Sequence, residues 1–428
     1  MRAERLAAPL TFAFAALTGA LAATPIFVLA AALTGALAAC APEPSCAEPA
    51  GALEAAVAYT RDVCVRRRAM EASVAAADTP YAQLRLAHYA LSSAGVDDAA
   101  RDWDALPVFS LRVRRLRVAG GSAPDAAREE GPVLAAPPTS LEDYVAAGRR
   151  AFERYPIQID LGLAVVRDRA RAERAGLFVE ADGLVRGAVE VETTSGWTVS
   201  LTCAACHARA VDGVVVLGVP NDRIDFGAIT GDDTWPIGTM DVTADGVANP
   251  IRPSDLRPIA QQARLQHTGN LFNGRVARMA RIETLMITEL QQRFRPEREV
   301  PASIALFLEA EGDALPRPDA AHPGAAPFAA ECASCHRGDA LAGPNVAVEL
   351  LGTDATATRD GERATGGYRA PSLLGVGDRR GLLHDGSAAD LDALLGLAPS
   401  AHLGHAFGLA LSAEERANVR DYLRASGR

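Results

Sequence analysis

The 428-residue sequence contains no lysine, so all 43 basic residues are arginine. Every fixed positive charge is therefore a guanidinium, a bias that reads as codon usage rather than mechanism. Positive charge is also outnumbered, with 53 acidic residues and a formal balance of −10. That balance argues against a nucleic-acid partner, which favours a basic surface. Aromatic residues are few, at 5%, whereas 49% of the chain is hydrophobic. This fits an Ala-rich, mainly helical globular protein, long enough for two or three domains. Methionine occurs only at positions 1, 70, 240, 279 and 286, so the last third of the chain has no thioether. Cysteine occurs seven times, and its placement is the most informative feature.

The N-terminus reads as an export signal. Arg2 and Arg5 supply a positive start, and residues 6–39 are almost unbroken apolar or small residues. The stretch ends Leu37-Ala38-Ala39-Cys40, which resembles a lipobox, with Cys40 the residue that would be lipidated. The segment AALTGALAA occurs at 15–23 and again at 31–39. The leader is thus long enough to span a bilayer if uncleaved, and an uncleaved anchor or an ordinary signal are the alternatives to a lipoprotein. The expected location is the periplasmic side of a membrane, with attachment through Cys40 or the N-terminal segment.

Four further cysteines form two C-x-x-C-H motifs, Cys203/Cys206/His207 and Cys332/Cys335/His336. A chance match has an expectation of only about 0.002 from composition. Two thiols at this spacing suit addition to the two vinyl groups of a haem, and the adjacent histidine falls beneath the iron as its proximal ligand. Two covalently bound c-type haems are therefore expected. Zinc is the rival, since C-x-x-C pairs also build thiolate sites, but export and the immediate histidine in both copies weigh against it. Cys46 and Cys64 remain, either as a disulfide suited to an oxidising compartment or as two buried thiols.

The regions around the motifs repeat. Laying Ile251-Arg252 on Tyr368-Arg369 without a gap brings Leu256 onto Leu373, Ile259 onto Val376 and Leu265 onto Leu382. The same frame lays His267 on His384 and Gly269 on Gly386. Further on, Ile304, Phe307 and Leu308 match Val419, Tyr422 and Leu423, the apolar stripe of a closing helix in each half. Helix starts are expected at Ser140-x-x-Asp143 and Ser412-x-x-Glu415, and a small β-hairpin over 177–202.

With these residues placed, the segment Tyr368-Arg369-Ala370-Pro371-Ser372-Leu373 and the loop Leu383-His384-Asp385-Gly386-Ser387 resemble the bacterial di-haem cytochrome c peroxidases and their MauG-like relatives, with the rubber-oxygenase branch a further relative. The resemblance covers roughly residues 140–428, and is specific around the second motif and loose around the first. It implies two packed cytochrome c domains, one haem passing electrons to another where peroxide or oxygen binds. It also implies a small redox partner protein, a cytochrome or cupredoxin. An interdomain calcium is a family feature that Asp241 and Asp245-Gly246 match only loosely.

This chain departs from the family in lacking a methionine after the second motif. The sixth ligand there must come from His384, His402, His405 or an oxygen donor such as Tyr368, with His405 the first choice from the usual position of distal ligands. A propionate or backbone bond is the expected role of His384. For the first haem, Met286, Met240 and His267 compete with an open site, although Met279, Ile282, Leu285 and Met286 also form a helical core stripe. Glu283, Gln261, Gln262 and Arg264 are the candidates in that half for a distal acid–base role, each also read as a solvated or structural group, and Trp197 and Trp235 flank it; His88 reads as structural.

The expected architecture is mainly α. It comprises a leader (1–39), an N-terminal helical region and linker (40–139), a first cytochrome c-like domain with a small β insertion (140–311), a linker (312–327) and a second cytochrome c-like domain (328–428). The expected activity is that of an exported di-haem oxidoreductase; a non-catalytic electron carrier is the alternative.

Overall fold

A computed structural model describes residues 46–74, 79, 82–83, 86, 103–109, 112–118, 130–157, 163–230, 235–241, 248–289, 293–359, 363–400 and 402–426. The chain divides into residues 1–45 and a compact unit of residues 46–428. The leader, the lipobox Cys40, His88 and Asp245-Gly246 lie outside the described residues.

The compact unit begins with α1 (Ala52–Arg61) and α2 (Val63–Ser73). Asp62 between them caps α2 by accepting from the backbone of Cys64 and Val65. Cys46 and Cys64 are joined in a disulfide, with Cα atoms 5.3 Å apart, so the first of the two cysteine readings holds. The inner faces of both helices bury Tyr59 and Met70 in a cluster with Trp103, Met279 and Leu306.

The expectation of a mainly α chain needs correction, because the fold is mixed, 40% helical and 17% strand. Strands β1 (Arg112–Arg117) and β2 (Glu130–Pro132) come from the region expected to be helix and linker. They join the hairpin β3 (Leu184–Thr193) and β4 (Gly196–Leu201) in an antiparallel sheet of order β2-β1-β3-β4. The misreading has a physical cause. In Arg-Val-Arg-Arg-Leu-Arg the two apolar residues, Val113 and Leu116, are three apart, which is helical spacing. A register shift between Arg115 and Arg117 lets both reach the buried face of a strand. Cross-strand pairs of Arg112 with Glu130 and Glu192, and of Arg114 with Glu190, fix the register.

The hairpin delivers the chain to the first motif. Thr202 donates to Gly187 O at 2.9 Å, and Cys203–Cys206 follows as a single helical turn. Gly187 has φ +83°, and a Cβ there would lie 2.4 Å from the backbone of Ala205. Only glycine lets β3 approach the motif this closely.

In the first half, α3 (Leu141–Arg154) starts with the Ser140/Asp143 capping box, and α4 (Arg275–Glu289) and α5 (Glu299–Asp313) close the core. Helix α3 crosses α5 at Gly148, whose absent Cβ would lie 1.9 Å from Ser303 O and 2.7 Å from Phe307 Cβ. Phe152 packs on Phe307, ring centres 5.7 Å apart. The second half repeats this crossing with α6 (Ala325–Glu331) and α7 (Ala413–Arg424). A Cβ on Gly324 would lie 2.1 Å from Asn418 O and 2.7 Å from Tyr422 Cβ, and Phe328 packs on Tyr422 at 5.3 Å. Phe307 and Tyr422 are the residues the sequence repeat aligns.

The repeat also governs how the halves meet. Leu265 pairs with Leu271, as Leu382 pairs with Ala388, and the aligned Gln266 and Leu383 both take positive φ, +64° and +68°. Arg252 N donates to His384 O at 2.8 Å, and Arg369 N donates to His267 O at 2.9 Å. Each half offers its arginine amide to the other half's histidine carbonyl, a reciprocal contact of the kind found across a two-fold axis.

Candidate functional site

The two C-x-x-C-H motifs adopt the same turn. The histidine amide donates to the first cysteine's carbonyl, His207 to Cys203 at 3.0 Å and His336 to Cys332 at 2.9 Å. In each, the histidine Nδ1 is engaged by a backbone carbonyl: Ser254 O at 2.9 Å for His207, and Pro371 O at 3.0 Å for His336. Ser254 and Pro371 are aligned positions of the repeat. A carbonyl at Nδ1 fixes the proton there and leaves Nε2 as a lone-pair donor, as in metal-binding histidines whose other nitrogen is held by a backbone carbonyl. Burial pushes both imidazoles down to about 4, so they are neutral at ordinary pH. Burial likewise pushes the Cys203 thiol up to about 12 and the Cys332 thiol up to about 11.

Cys332, Cys335, His336 and His405 line one cavity of about 200 Å³. One wall is apolar, built from Phe328, Leu382, Leu391, Leu395, Val419 and Leu423. The rings of His336 and His405, both lining the cavity, have centres 6.5 Å apart and planes tilted at 54°. A metal shared by two imidazoles, with bonds of about 2.0 Å to each nitrogen, puts the ring centres roughly 6 Å apart. His405 is held in a left-handed backbone, φ +52°, by its amide donating to Leu351 O at 2.7 Å. Its Nδ1 is buried without a hydrogen-bond partner.

The opposite wall is polar and comes partly from the first half, through Arg252, Ser254, Asp255, Gln262 and His267. Arg252 and Arg369, aligned in the repeat, both line the cavity, and Arg252 Nη2 and Arg369 Nη1 are buried without a hydrogen-bond partner. Burial, with Arg379 nearby, pushes the Arg369 guanidinium down to about 10, and burial also lowers Arg252. Buried cations of this kind call for an anionic group. Two thiols, an imidazole pair, an apolar slot and two underused guanidiniums form a set that fits a haem with its vinyl groups, iron, ring and carboxylates. The first motif shares with the second the turn of Cys203–Cys206 and the carbonyl at the Nδ1 of His207. Among the described residues, no three His, Cys, Asp or Glu side chains converge as a cage for a bare metal ion.

The remaining residues singled out from sequence are distributed as follows. His384 stacks on Tyr368, ring centres 4.3 Å apart, and both line the cavity. His402 is bonded to Ser400. His267 Nε2 lies 2.9 Å from Arg252 O and 3.1 Å from Ser254 Oγ, so that nitrogen is already engaged. Met286 is fully buried in the cluster that contains Ala204 and touches Cys203, whereas Met240 packs on the Cys206 side. Met279 belongs to the helical core over α1 and α2.

Glu283 is buried and accepts from Tyr59 and Arg298, Gln261 donates to Asp313, and Arg264 lies over the Phe272 ring. Gln262 accepts from Ser372 N at 3.2 Å. These contacts are structural. Trp197 lies under Arg114 and Trp235 packs edge-on to Phe226. Asp241 accepts from Asn249 N; Asp245-Gly246, the rest of the calcium expectation, lie outside the described residues.

In the sequence Arg252 stands only as a repeat landmark, and Arg369 as its aligned partner and a part of the Tyr368–Leu373 segment. Their coincidence in the gapless frame was the available signal for a paired role. No protein-family model matches the chain, and no curated protein matches it.

Proposed function

We propose that this chain is an exported di-haem c-type cytochrome, with one haem bound by Cys203, Cys206 and His207 and the other by Cys332, Cys335 and His336, the second iron taking His405 as its sixth ligand. The observation that carries the reading is the His336–His405 pair, 6.5 Å between ring centres on the lining of a cavity that also holds Cys332 and Cys335. When bound, each haem supplies a one-electron redox centre and, where its sixth position is free, a place for peroxide or oxygen.

The protein's own groups divide the labour. His336 and His405 saturate the second site, suiting it to store and pass electrons. Arg252 and Arg369 anchor the carboxylates, and the leucine wall keeps water off the ring. Any peroxide or oxygen chemistry then belongs to the first site, in the manner of the di-haem peroxidase and MauG group. The resemblance around Tyr368–Ser387 supports that reaction class. A second reading, a non-catalytic electron carrier, is favoured by Met286 and Met240, which belong to or pack on the same hydrophobic clusters as Cys203 and Cys206 respectively; a thioether bound at that iron would saturate it. In both readings the chain sits on the periplasmic side, tethered through a lipidated Cys40 or its leader, and exchanges electrons with a small redox protein.

The test is a haem count followed by a carbon monoxide difference spectrum on protein expressed with c-type maturation. Two haems per chain are expected from the alkaline pyridine spectrum; zinc or no haem overturns the proposal. Carbon monoxide bound by about one of the two reduced haems supports the oxidoreductase. No binding moves the function to electron transfer.

A further inference from the structure

The carbonyls that engage the two motif histidines belong to Ser254 and Pro371, and the residues that follow them are tied together by a buried ring of charge. Asp255 Oδ2 lies 2.7 Å from Arg257 Nη2 and 2.9 Å from Arg379 Nε, and Arg257 Nη1 reaches Asp378 Oδ2 at 2.7 Å. The Arg257 side chain is fully buried, Asp255 is 2% exposed, and Asp378 and Arg379 are 5% and 10% exposed. Burial alone would raise Asp255, but Arg379 and Arg257 hold its carboxyl below the usual range. Two residues of the ring come from each half, and two carboxylates balance two guanidiniums.

The ring closes a continuous path. His207 Nδ1 meets Ser254 O at 2.9 Å; the next residue, Asp255, meets Arg379 Nε at 2.9 Å. Arg379 Nη2 then donates to Ser372 O at 3.0 Å, and the preceding residue, Pro371, meets His336 Nδ1 at 3.0 Å. Four hydrogen bonds and two peptide links therefore join the histidines of the two halves. Asp255, Arg257, Asp378 and Ser372 are buried and Pro371 is exposed, so a change in charge on the carboxylates or on Arg257 is weakly screened.

We infer that the Asp255–Arg257–Asp378–Arg379 ring is a shared positioning group that sets the reduction potentials of both iron sites together. The inference rests on the reading of His207 and His336 as iron ligands. Reduction adds one electron to an iron, with no bond made or broken and no proton required. An extra buried positive charge beside both histidine carbonyls therefore favours the reduced form at each site, and an extra negative charge favours the oxidised form.

The test is a dithionite–ferricyanide spectropotentiometric titration of the full-length holoprotein and its variants. Asp255→Asn, which leaves one uncompensated guanidinium, should raise both midpoint potentials. Arg379→Gln, which leaves one uncompensated carboxylate, should lower both, and Arg379→Lys should restore values close to the parent. If Asp255→Asn does not accumulate, Asp378→Asn makes the same charge change and should also raise both. Loosened packing would not give shifts of opposite sign for the two charge classes. With two haems counted in the parent, unchanged potentials, a shift at one site alone, or the same sign for both charge classes overturns the inference. Fewer than two haems in the parent overturns the ligand reading itself, and this inference with it.

Discussion

At the scale of single residues, His405 concentrates the local strain of the second site. A side chain with φ +52° costs roughly 1–2 kcal/mol relative to an ordinary backbone, and Gly404 before it, at φ +79°, shares the turn. The loop tolerates this because the His405 amide is anchored on Leu351 O and the ring centre lies 6.5 Å from that of His336. Replacing His405 by alanine should convert the second haem from low spin to high spin and add one carbon monoxide site per chain; an unaltered spectrum would remove His405 from the ligand set.

A second residue-level expectation concerns acid. Burial holds His207 and His336 at about 4 and His267 at about 3, against an ordinary value of 6.5. The unfolded chain then takes up protons below pH 6.5 that the folded chain refuses until about pH 4. The stability these groups contribute is complete above pH 6.5 and lost as pH falls toward 4. Urea midpoints of the haem-free chain should fall across that window and be flat from pH 7 to 8; a midpoint independent of pH between 4 and 6.5 contradicts this. The shared turn of the cysteines and histidines in both motifs was legible because it is local in sequence. The roles of Arg252, Arg369 and Asp255 were not, because their partners lie in the other half.

Among the secondary-structure elements, the two helix crossings carry the fold, and each turns on one glycine. At Gly324, a Cβ would overlap the Asn418 carbonyl, which is backbone and cannot swing aside. Gly324→Val should therefore force α6 off α7 and cost about 1–3 kcal/mol or more. By contrast, Ser412→Ala removes only an exposed cap and should cost about 1 kcal/mol. Thermal melts of the two variants should differ in that order, and equal losses would mean that the crossing is looser than its distances imply. The caps at Ser140 and Ser412 and the stripes of α5 and α7 were readable because they follow from short-range spacing. The recurrence of Gly-x-x-x-Phe at 148–152 and 324–328 was equally present in the sequence, but 55 residues separate Gly148 from its motif in one half and only eight separate Gly324 from its own. Strand β1 was hidden by its bulge, which gives a strand the apolar spacing of a helix.

At the scale of the whole molecule, the segment before α1 is fastened by the Cys46–Cys64 disulfide, which closes a loop of 18 residues. Loop closure of that length is worth about 3 kcal/mol in the unfolded state. Cys64→Ser should lower the denaturant midpoint accordingly, whereas no loss would mean that the packing of Tyr59 and Met70 on α4 and α5 suffices alone. The repeated segments on either side of the 312–327 connection were legible from the gapless frame, but the sheet was only half visible, because β1 and β2 come from a region with no motif. The reciprocal bonds between Arg252 and His384 and between Arg369 and His267 carry a further consequence for assembly. Each half holds both a donor and an acceptor of the kind its neighbour needs. A detached second half could offer Arg369 to the His384 of another copy and receive the same bond in return. At these two bonds, though not at the Asp255–Arg257–Asp378–Arg379 cluster, the joint between the halves is self-complementary, so cutting the 312–327 connection would release not inert fragments but pieces able to compete there with their former neighbour.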